Sequence, residues 1–377
     1  MTAEVAVVGL GAIGSMALWR LAERGVRVHG YEQFGLAHDQ GASAGETRRF
    51  SVQSQGDPRF TPLAVEALEL WRELSDGELF RQTGGVIIGP EGTPAIASAL
   101  ASAREYGLPY ESLAADELRS RFRQHVVRDH DVGVTDPLAG YLRPEASVAA
   151  AVGRARALGA EVSLETEIVA VESRPDGVAV VTRGGSKTYE RVILAPGAWA
   201  GGLVPGAAGM VVPRRLVQGW YPAKNPADYR PEVFGVFERV GDISAYGFPS
   251  LDGATVKVGV KFGTHPVVDD LRRVDRVVDQ RHLGRLAEAI HDFFPGLRPE
   301  PAIVRTGIEG YSPDGRPLLG PTSADHRIVV ACGFSGSGFK FAPVMGDIAA
   351  DFATTGSTGR KVSFLAAERQ PAAGRVK

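Results

Sequence analysis

"VAVVGLGAIGSMALWRLAERGVRVHGYE" runs from Val5 to Glu32. Val5–Val8 is a short valine-rich run, suited to a parallel strand buried on both faces. Gly9, Gly11 and Gly14 follow as G-x-G-x-x-G, and Ser15–Arg24 has helical composition. Gly25 stands where a helix ends in a left-handed turn. Val26, Val28 and Tyr31 then begin a second strand, which completes a βαβ unit in about thirty residues. Gly9 permits the tight turn, Gly11 lets the backbone approach a pyrophosphate, and Gly14 lets the helix pack close on the strand. The unpaired N–H groups of the helix start, with Ala12 and Ile13 in its first turn, favour phosphate. Glu32, followed by Gln33, ends the second strand. An acid there accepts from ribose hydroxyls and disfavours a 2′-phosphate. The stretch therefore reads as a site for NAD or FAD, between which the motif alone does not choose.

The 377 residues allow two domains and a well-buried core. The 42 Lys and Arg nearly balance the 44 Asp and Glu, a formal net charge of −2. No overall attraction to polyanions follows, and no basic run with interleaved aromatics points to nucleic acid. Cys332 is the single cysteine, which excludes an intrachain disulfide and a cysteine zinc cluster. His125 and His130 read as a solvated loop, so no metal is expected. The apolar N-terminus lacks the basic flank of a signal peptide, and no apolar run reaches the ~18 residues of a membrane span. A cytoplasmic protein without a membrane partner is expected.

Further along, Leu63, Ala67, Leu70, Trp71 and Leu74 recur at helical spacing. "GGVIIG" (Gly84–Gly89) reads as a strand, and Ser147 reads as the cap of a helix over Ala149–Leu158. "RVILAPGAW" and "HRIVVACGF" are buried strands that run into glycine loops. Asp275–Phe294 and Val344–Phe352 read as helices. Strands ending in glycine loops near residues 8, 195 and 332, with strand-rich sequence between them, imply an α/β fold. A Rossmann-like domain would be assembled from separated segments and interrupted by a second, sheet-based domain. A fingerprint that begins at residue 9, with the fold split around it, favours FAD over NAD.

"GASAGETR" (Gly41–Arg48), "APGAW" (Ala195–Trp199), "YGFPS" (Tyr246–Ser250) and "GFSGSGFKF" (Gly333–Phe341) complete an ordered set. With the N-terminal fingerprint, the set resembles the monomeric sarcosine oxidase and N-methyltryptophan oxidase family of D-amino-acid-oxidase-like flavoproteins, over nearly the whole chain. The resemblance implies FAD, a small-molecule amine oxidised at its C–N bond, O2 as acceptor with hydrogen peroxide as product, and a monomer. It implies an FAD domain from residues 1–82, 140–213 and 316–377. It implies an α+β substrate domain, with a mixed or antiparallel sheet, from 83–139 and 214–315. It places Arg48, Thr47 and Ser43 on a cofactor-contacting loop, Ile168 at the adenine, and Gly197 and Trp199 along the cofactor. Gly333, Gly336, Gly338 and Phe339 fall in its flavin loop. Lys257 matches the lysine that activates oxygen, Lys340 the lysine that meets a substrate carboxylate, and Tyr246 a tyrosine of the substrate cavity. From the residues alone, Lys257 in an alternating strand reads as a solvent-face lysine and Tyr246 as core.

Three departures from the family pattern carry expectations of their own. Gly307 stands where the family links FAD to a cysteine, so FAD is expected to be held non-covalently. Ser51 replaces an arginine of the carboxylate clamp, which leaves Lys340 and makes Arg49 an uncertain substitute. Ser337 and Ala44 replace histidines and would enlarge the pocket. Glu309 replaces a tyrosine; it reads either as a surface acid paired with Arg305 or as an anchor for a cation. A substrate bulkier or less acidic than sarcosine is expected. Two alternatives stay open: an FAD dehydrogenase or tailoring desaturase with another electron acceptor, and a non-catalytic FAD-binding subunit.

Overall fold

The computed structural model describes residues 4–54, 56–75, 77–204, 209–261 and 265–369. A six-stranded sheet carries the βαβ unit. Its order is Leu318–Pro321, Ile328–Cys332, Arg191–Leu194, Val5–Val8, Val28–Tyr31, Glu161–Ser163. Neighbours are parallel except the first pair, which is antiparallel. Val8 lies beside Leu194, and Leu194 beside Val330. Three strand ends therefore open at one edge and run into Gly9, Pro196–Gly197 and Gly333. That edge is where open α/β sheets bind ligands.

Helices Ala12–Glu23, Pro144–Ala157 and Ala342–Thr355 share one core with this sheet. Gly346 lets two of them meet, because a Cβ there would lie 2.6 Å from Ala17 N. The antiparallel strands Ile168–Arg174, Gly177–Thr182 and Gly185–Tyr189 form a second core with Ala6, Val8, Val192 and Leu194.

An eight-stranded sheet forms the other body, in the order Ile303–Tyr311, Val212–Pro222, Thr255–Val260, Ala245–Gly247, Val236–Arg239, Gly85–Pro90, Asp131–Asp136, Ser112–Leu113. Only Val236–Arg239 and Gly85–Pro90 pair in parallel. Helix Gln280–Phe293 shares a core with it through Leu286, Ile290, Val256, Val258 and Phe237. The short strand Arg48–Phe50 pairs instead with Gly140–Leu142. Among the described residues no helix is long and apolar enough to cross a membrane.

Several expectations need correction. The helix expected at Ala149–Leu158 begins at Pro144 instead, and Ser147 Oγ donates backward to Arg143 O. Proline at N1 sets the helical φ without wasting an N–H, so it outranks the serine as the start signal. The helix expected from Asp275 starts at Gln280, and the one expected over Val344–Phe352 spans Ala342–Thr355. His125 is not in a solvated loop. It is buried among Phe234, Phe237 and Phe294, and burial holds its pKa well below the usual histidine range. Among the described residues no group of three or more His, Cys, Asp or Glu could hold a metal.

Candidate active site

A cleft with about 1200 Å³ of empty space follows the three strand ends. At its floor Gly9 adopts φ +88°, and a Cβ there would lie 2.5 Å from Ala195 O. Gly14 abuts the Gly9 carbonyl, and Gly11 approaches Ser43. Ser43 Oγ accepts from Ala12 N at 2.9 Å, while N-cap Gly11 offers no side chain. At the far side Glu32 is buried. Its carboxylate accepts from Leu10 N at 2.9 Å and Phe34 N at 3.1 Å, and His38 Nε2 stands 3.2 Å away. A carboxylate has about four lone-pair sites, so acceptor capacity remains for ribose hydroxyls.

The cleft wall includes Gly9, Gly11, Ala12, Ile13, Glu32, Gln33, Ser43, Arg48, Ile168, Gly197, Trp199, Gly333, Gly336, Gly338 and Phe339. Gly14, Thr47 and Lys340 are not part of it. Gly14 serves the helix contact, Thr47 lies buried behind the wall, and Lys340 faces an adjoining pocket. Two buried polar atoms, Trp199 Nε1 and Thr47 Oγ1, have no partner. A buried donor left unpaired costs about 1–3 kcal/mol. A glycine-floored cleft lined by a buried acid, Glu32, and by Trp199, whose Nε1 has no partner, fits a dinucleotide.

At the other end of the cleft the side chains are tightly held. Arg48 Nη1 donates to Thr47 O at 2.8 Å. Its Nη2 donates to Ala42 O at 2.7 Å and also to Ala44 O. Lys257 is 1% exposed. Its Nζ donates to Gly45 O at 2.5 Å and Thr47 O at 2.9 Å, with the Trp220 and Phe248 rings 5.2 and 4.9 Å away. Burial, with Arg48 nearby, pushes its pKa well below the usual lysine range; Glu46 and Glu145 oppose this. The solvent-face reading of Lys257 is thus overturned. The loop it grips is pinned further by Gly45 N to Glu145 Oε1 at 2.6 Å and Trp220 Nε1 to Glu46 Oε2 at 2.8 Å.

An inner pocket adjoins the cleft and shares Arg48, Glu309, Gly336 and Phe339 with it. One end is cationic. Arg49 lies 3.0 Å from buried Glu238, and Lys261 also pairs with that carboxylate. Lys340 joins them in the lining; burial, then Arg49 and Lys261, lower its pKa to about 7. Trp71 steadies the Lys340 loop, donating from Nε1 to Lys340 O at 2.9 Å and stacking on Phe339. The other end holds Glu309, Tyr311, Tyr246 and Gln218. Tyr311 donates to Glu309 Oε2 at 2.8 Å, and Gln218 Nε2 donates to the Tyr246 hydroxyl at 2.8 Å. Burial raises Tyr246 to about 12, helped by Glu309.

A glycine-floored cleft that opens on a polar pocket, with the buried Lys257 holding the Gly45–Thr47 loop beside Arg48, has close counterparts. The family model for FAD dependent oxidoreductases matches residues 4–352. The chain belongs to that family. It is 34% identical to a monomeric sarcosine oxidase of Streptomyces avermitilis, over 99% of both chains. It is 30% identical to an N-methyl-L-tryptophan oxidase of Yersinia pestis, over 94% of this chain and 95% of that one. The solved structure of NikD, described as an unusual amino acid oxidase essential for nikkomycin biosynthesis, is 25% identical. It superposes with TM-score 0.83, each chain 97% covered. This oxidoreductase thus uses FAD and stands among amine and amino acid oxidases acting on CH–NH groups.

The departures now have positions. Gly307 leaves no side chain beside Gly41, and Cys332 is fully buried with its thiol pushed up to about 12 by burial. Ser51 is turned away from any clamp: its Oγ donates to Asp136 Oδ2 at 2.6 Å. Arg49 lines the inner pocket instead. Ser337 lines that pocket too, whereas Ala44 does not. The pairing of Glu309 with Arg305 is absent. Glu309 faces inward to Tyr311, and the Arg305 guanidinium lies 5.8 Å from the Trp220 ring. Missed by sequence were Lys261, Gln218, Trp220 and Tyr311. Lys261 and Tyr311 stand four and two residues from Lys257 and Glu309, so period-2 alternation would have placed them, whereas Gln218 and Trp220 lie on Val212–Pro222, which carries no residue singled out from sequence. His38, Glu145 and Glu238 had no such signal.

Proposed function

We propose that the enzyme oxidises the C–N bond of a secondary or N-methylated amino acid bulkier than sarcosine. O2 is the acceptor and hydrogen peroxide the product, and FAD is held without a covalent bond. The observation that carries this reading is the inner pocket, lined by Arg49, Lys261 and Lys340 and joined to the cofactor cleft through Arg48, Glu309, Gly336 and Phe339. Arg49, Lys261 and Lys340 gather in one lining beside the buried acids Glu238 and Asp136, and this cluster of cations supports an anionic substrate group there. They stand in for the guanidinium expected at Ser51. The pocket's room, and Ser337 in its wall, support a side chain larger than a methyl group.

When bound, FAD supplies a two-electron acceptor. The chain does the rest. Gly9, Gly11 and the helix start hold the pyrophosphate, and Glu32 holds the adenosine ribose. The cationic end fixes the carboxylate, which orients the amine toward the cleft. Lys257 presents an ammonium where reduction of O2 creates negative charge. The absence of a side chain at Gly307 and the burial of Cys332 support non-covalent FAD. Sheet membership supports two domains, an FAD domain of 1–82, 140–213 and 316–377 and a substrate domain of 83–139 and 214–315. The protein would act as a cytoplasmic monomer.

An oxygen electrode coupled to peroxide detection tests the chemistry. N-methyl-L-tryptophan should consume O2 and release peroxide in equal amounts; amine consumption without peroxide would favour another electron acceptor. Acid precipitation tests the linkage: flavin should stay in the supernatant, and a yellow pellet would contradict it.

A further inference from the structure

Glu309 has no role in the reading above, yet it occupies the junction that matters most. Four residues line both the cofactor cleft and the inner pocket: Arg48, Glu309, Gly336 and Phe339. An amine whose C–N bond is oxidised must sit at that junction. Among the four, Arg48 is a fixed cation bound to three backbone carbonyls. Gly336 and Phe339 carry no titratable group. Glu309 alone can accept a proton.

Chemistry requires such an acceptor. An alkylammonium titrates near ~10, as lysine does. Near neutral pH the substrate therefore arrives protonated, with no lone pair to assist C–H cleavage. The remaining groups around Glu309 are placed as a base needs them. Tyr311, on the same strand, donates to Oε2. Among the described residues no hydrogen bond reaches Oε1. Arg214, opposite Glu309 in the neighbouring strand, lies against the Tyr311 ring at 5.6 Å. Tyr246 and Arg48 face Glu309 from two other strands. Burial raises the Glu309 pKa, with Tyr311 and Arg48 opposing. Tyr246 at about 12 is too weak an acid to lose its proton, and it remains a hydrogen-bond donor.

We propose that Glu309 is the catalytic base of the reaction: Oε1 holds the substrate ammonium at the junction and takes its proton before the C–H bond breaks. One N–H bond breaks, its electron pair stays on nitrogen, and an O–H bond forms on Glu309. The proton returns to solvent when the product leaves. Arg49, Lys261 and Lys340 line the same pocket, which thus presents groups for both charges of an amino-acid zwitterion. This deepens the proposed function and rests on it.

The test is anaerobic reduction of the FAD-loaded enzyme by N-methyl-L-tryptophan, followed in a stopped-flow instrument from pH 6 to ~10. Glu309→Gln keeps the shape and an acceptor for Tyr311. It should lose roughly 10²-fold or more at pH 7. It should recover to within about fivefold near pH 10, where the substrate is already neutral. Glu309→Asp should keep the wild-type profile at reduced rate. A parallel loss at every pH, or no loss at pH 7, overturns the proposal and leaves the function standing. A wild-type enzyme that no N-methyl amino acid reduces at any pH removes both.

Discussion

Lys257→Met should slow reoxidation of the reduced enzyme by O2 about 10²-fold while leaving reduction by substrate within about threefold. The estimate starts from the burial of Lys257, 1% exposed between two backbone carbonyls and two aromatic faces. Electron transfer to O2 creates an anion where none stood. A unit cation roughly 5 Å away, at an effective dielectric of about 20, stabilises it by about 3 kcal/mol, or about two powers of ten. Methionine keeps most of the volume and removes the charge. Both carbonyls keep a donor, Thr47 O from Arg48 Nη1 and Gly45 O from Thr47 N, so the variant should lose no more than about 1 kcal/mol of stability. The two half-reactions are measured separately, by anaerobic mixing with N-methyl-L-tryptophan and by mixing reduced enzyme with O2. A pH series adds a second check. Burial lowers the Lys257 pKa, so the ammonium is lost on raising pH through that lowered value. Wild-type reoxidation should slow over that limb, and the Met variant should be flat. Unchanged reoxidation, or equal slowing of both half-reactions, would refute the role.

Three further outcomes follow from the geometry. Gly9→Ala forces an L side chain to φ +88° and against Ala195 O. The conformational part alone costs about 1–2 kcal/mol, so FAD affinity should fall at least ~10-fold in a fluorescence titration; unchanged affinity would contradict the tight-turn argument. The Lys340 pKa of about 7 means that its charge is present below neutrality and lost above it. KM for a carboxylate substrate should therefore rise about 10-fold or more from pH 6 to 9, and Lys340→Met should abolish that rise. In the eight-stranded sheet Arg239 Nη2 meets Asp131 Oδ2 at 2.9 Å, each side chain 2% exposed. Asp131→Ala strands a buried guanidinium and should cost about 3–5 kcal/mol in a urea melt; a loss under about 1 kcal/mol would show that water reaches Arg239.

The nucleotide-binding half was legible because its signals are local. The run from Val5 to Glu32 contains its own strand, turn, helix and acid, and Gly9 has the positive φ that the turn reading required. The glycine loops after Leu194 and Cys332 were equally local, and they meet Gly9 at one sheet edge. The inner pocket was legible only in part. Lys257 alternates like a surface residue, and only its pairing with Trp220 across strands shows it enclosed. Arg49, Lys261 and Lys340 come from distant segments, and the shared neighbour that draws two of them together, Glu238, sits on yet another strand. No spacing rule connects them. Ser51 shows the converse. Substitution at one position read as loss of a clamp, but Ser51 bonds to Asp136 while Arg49, two residues earlier, lines the pocket.

If the cleft holds FAD as proposed, an amine in the adjoining pocket reduces it. The measurement is a visible spectrum of the purified, FAD-loaded protein in a sealed, oxygen-free cuvette, before and after N-methyl-L-tryptophan, and again after air is admitted. The flavin band should bleach with the amine and return with oxygen. A band that persists through a panel of N-methyl amino acids, with the cofactor bound, would contradict it.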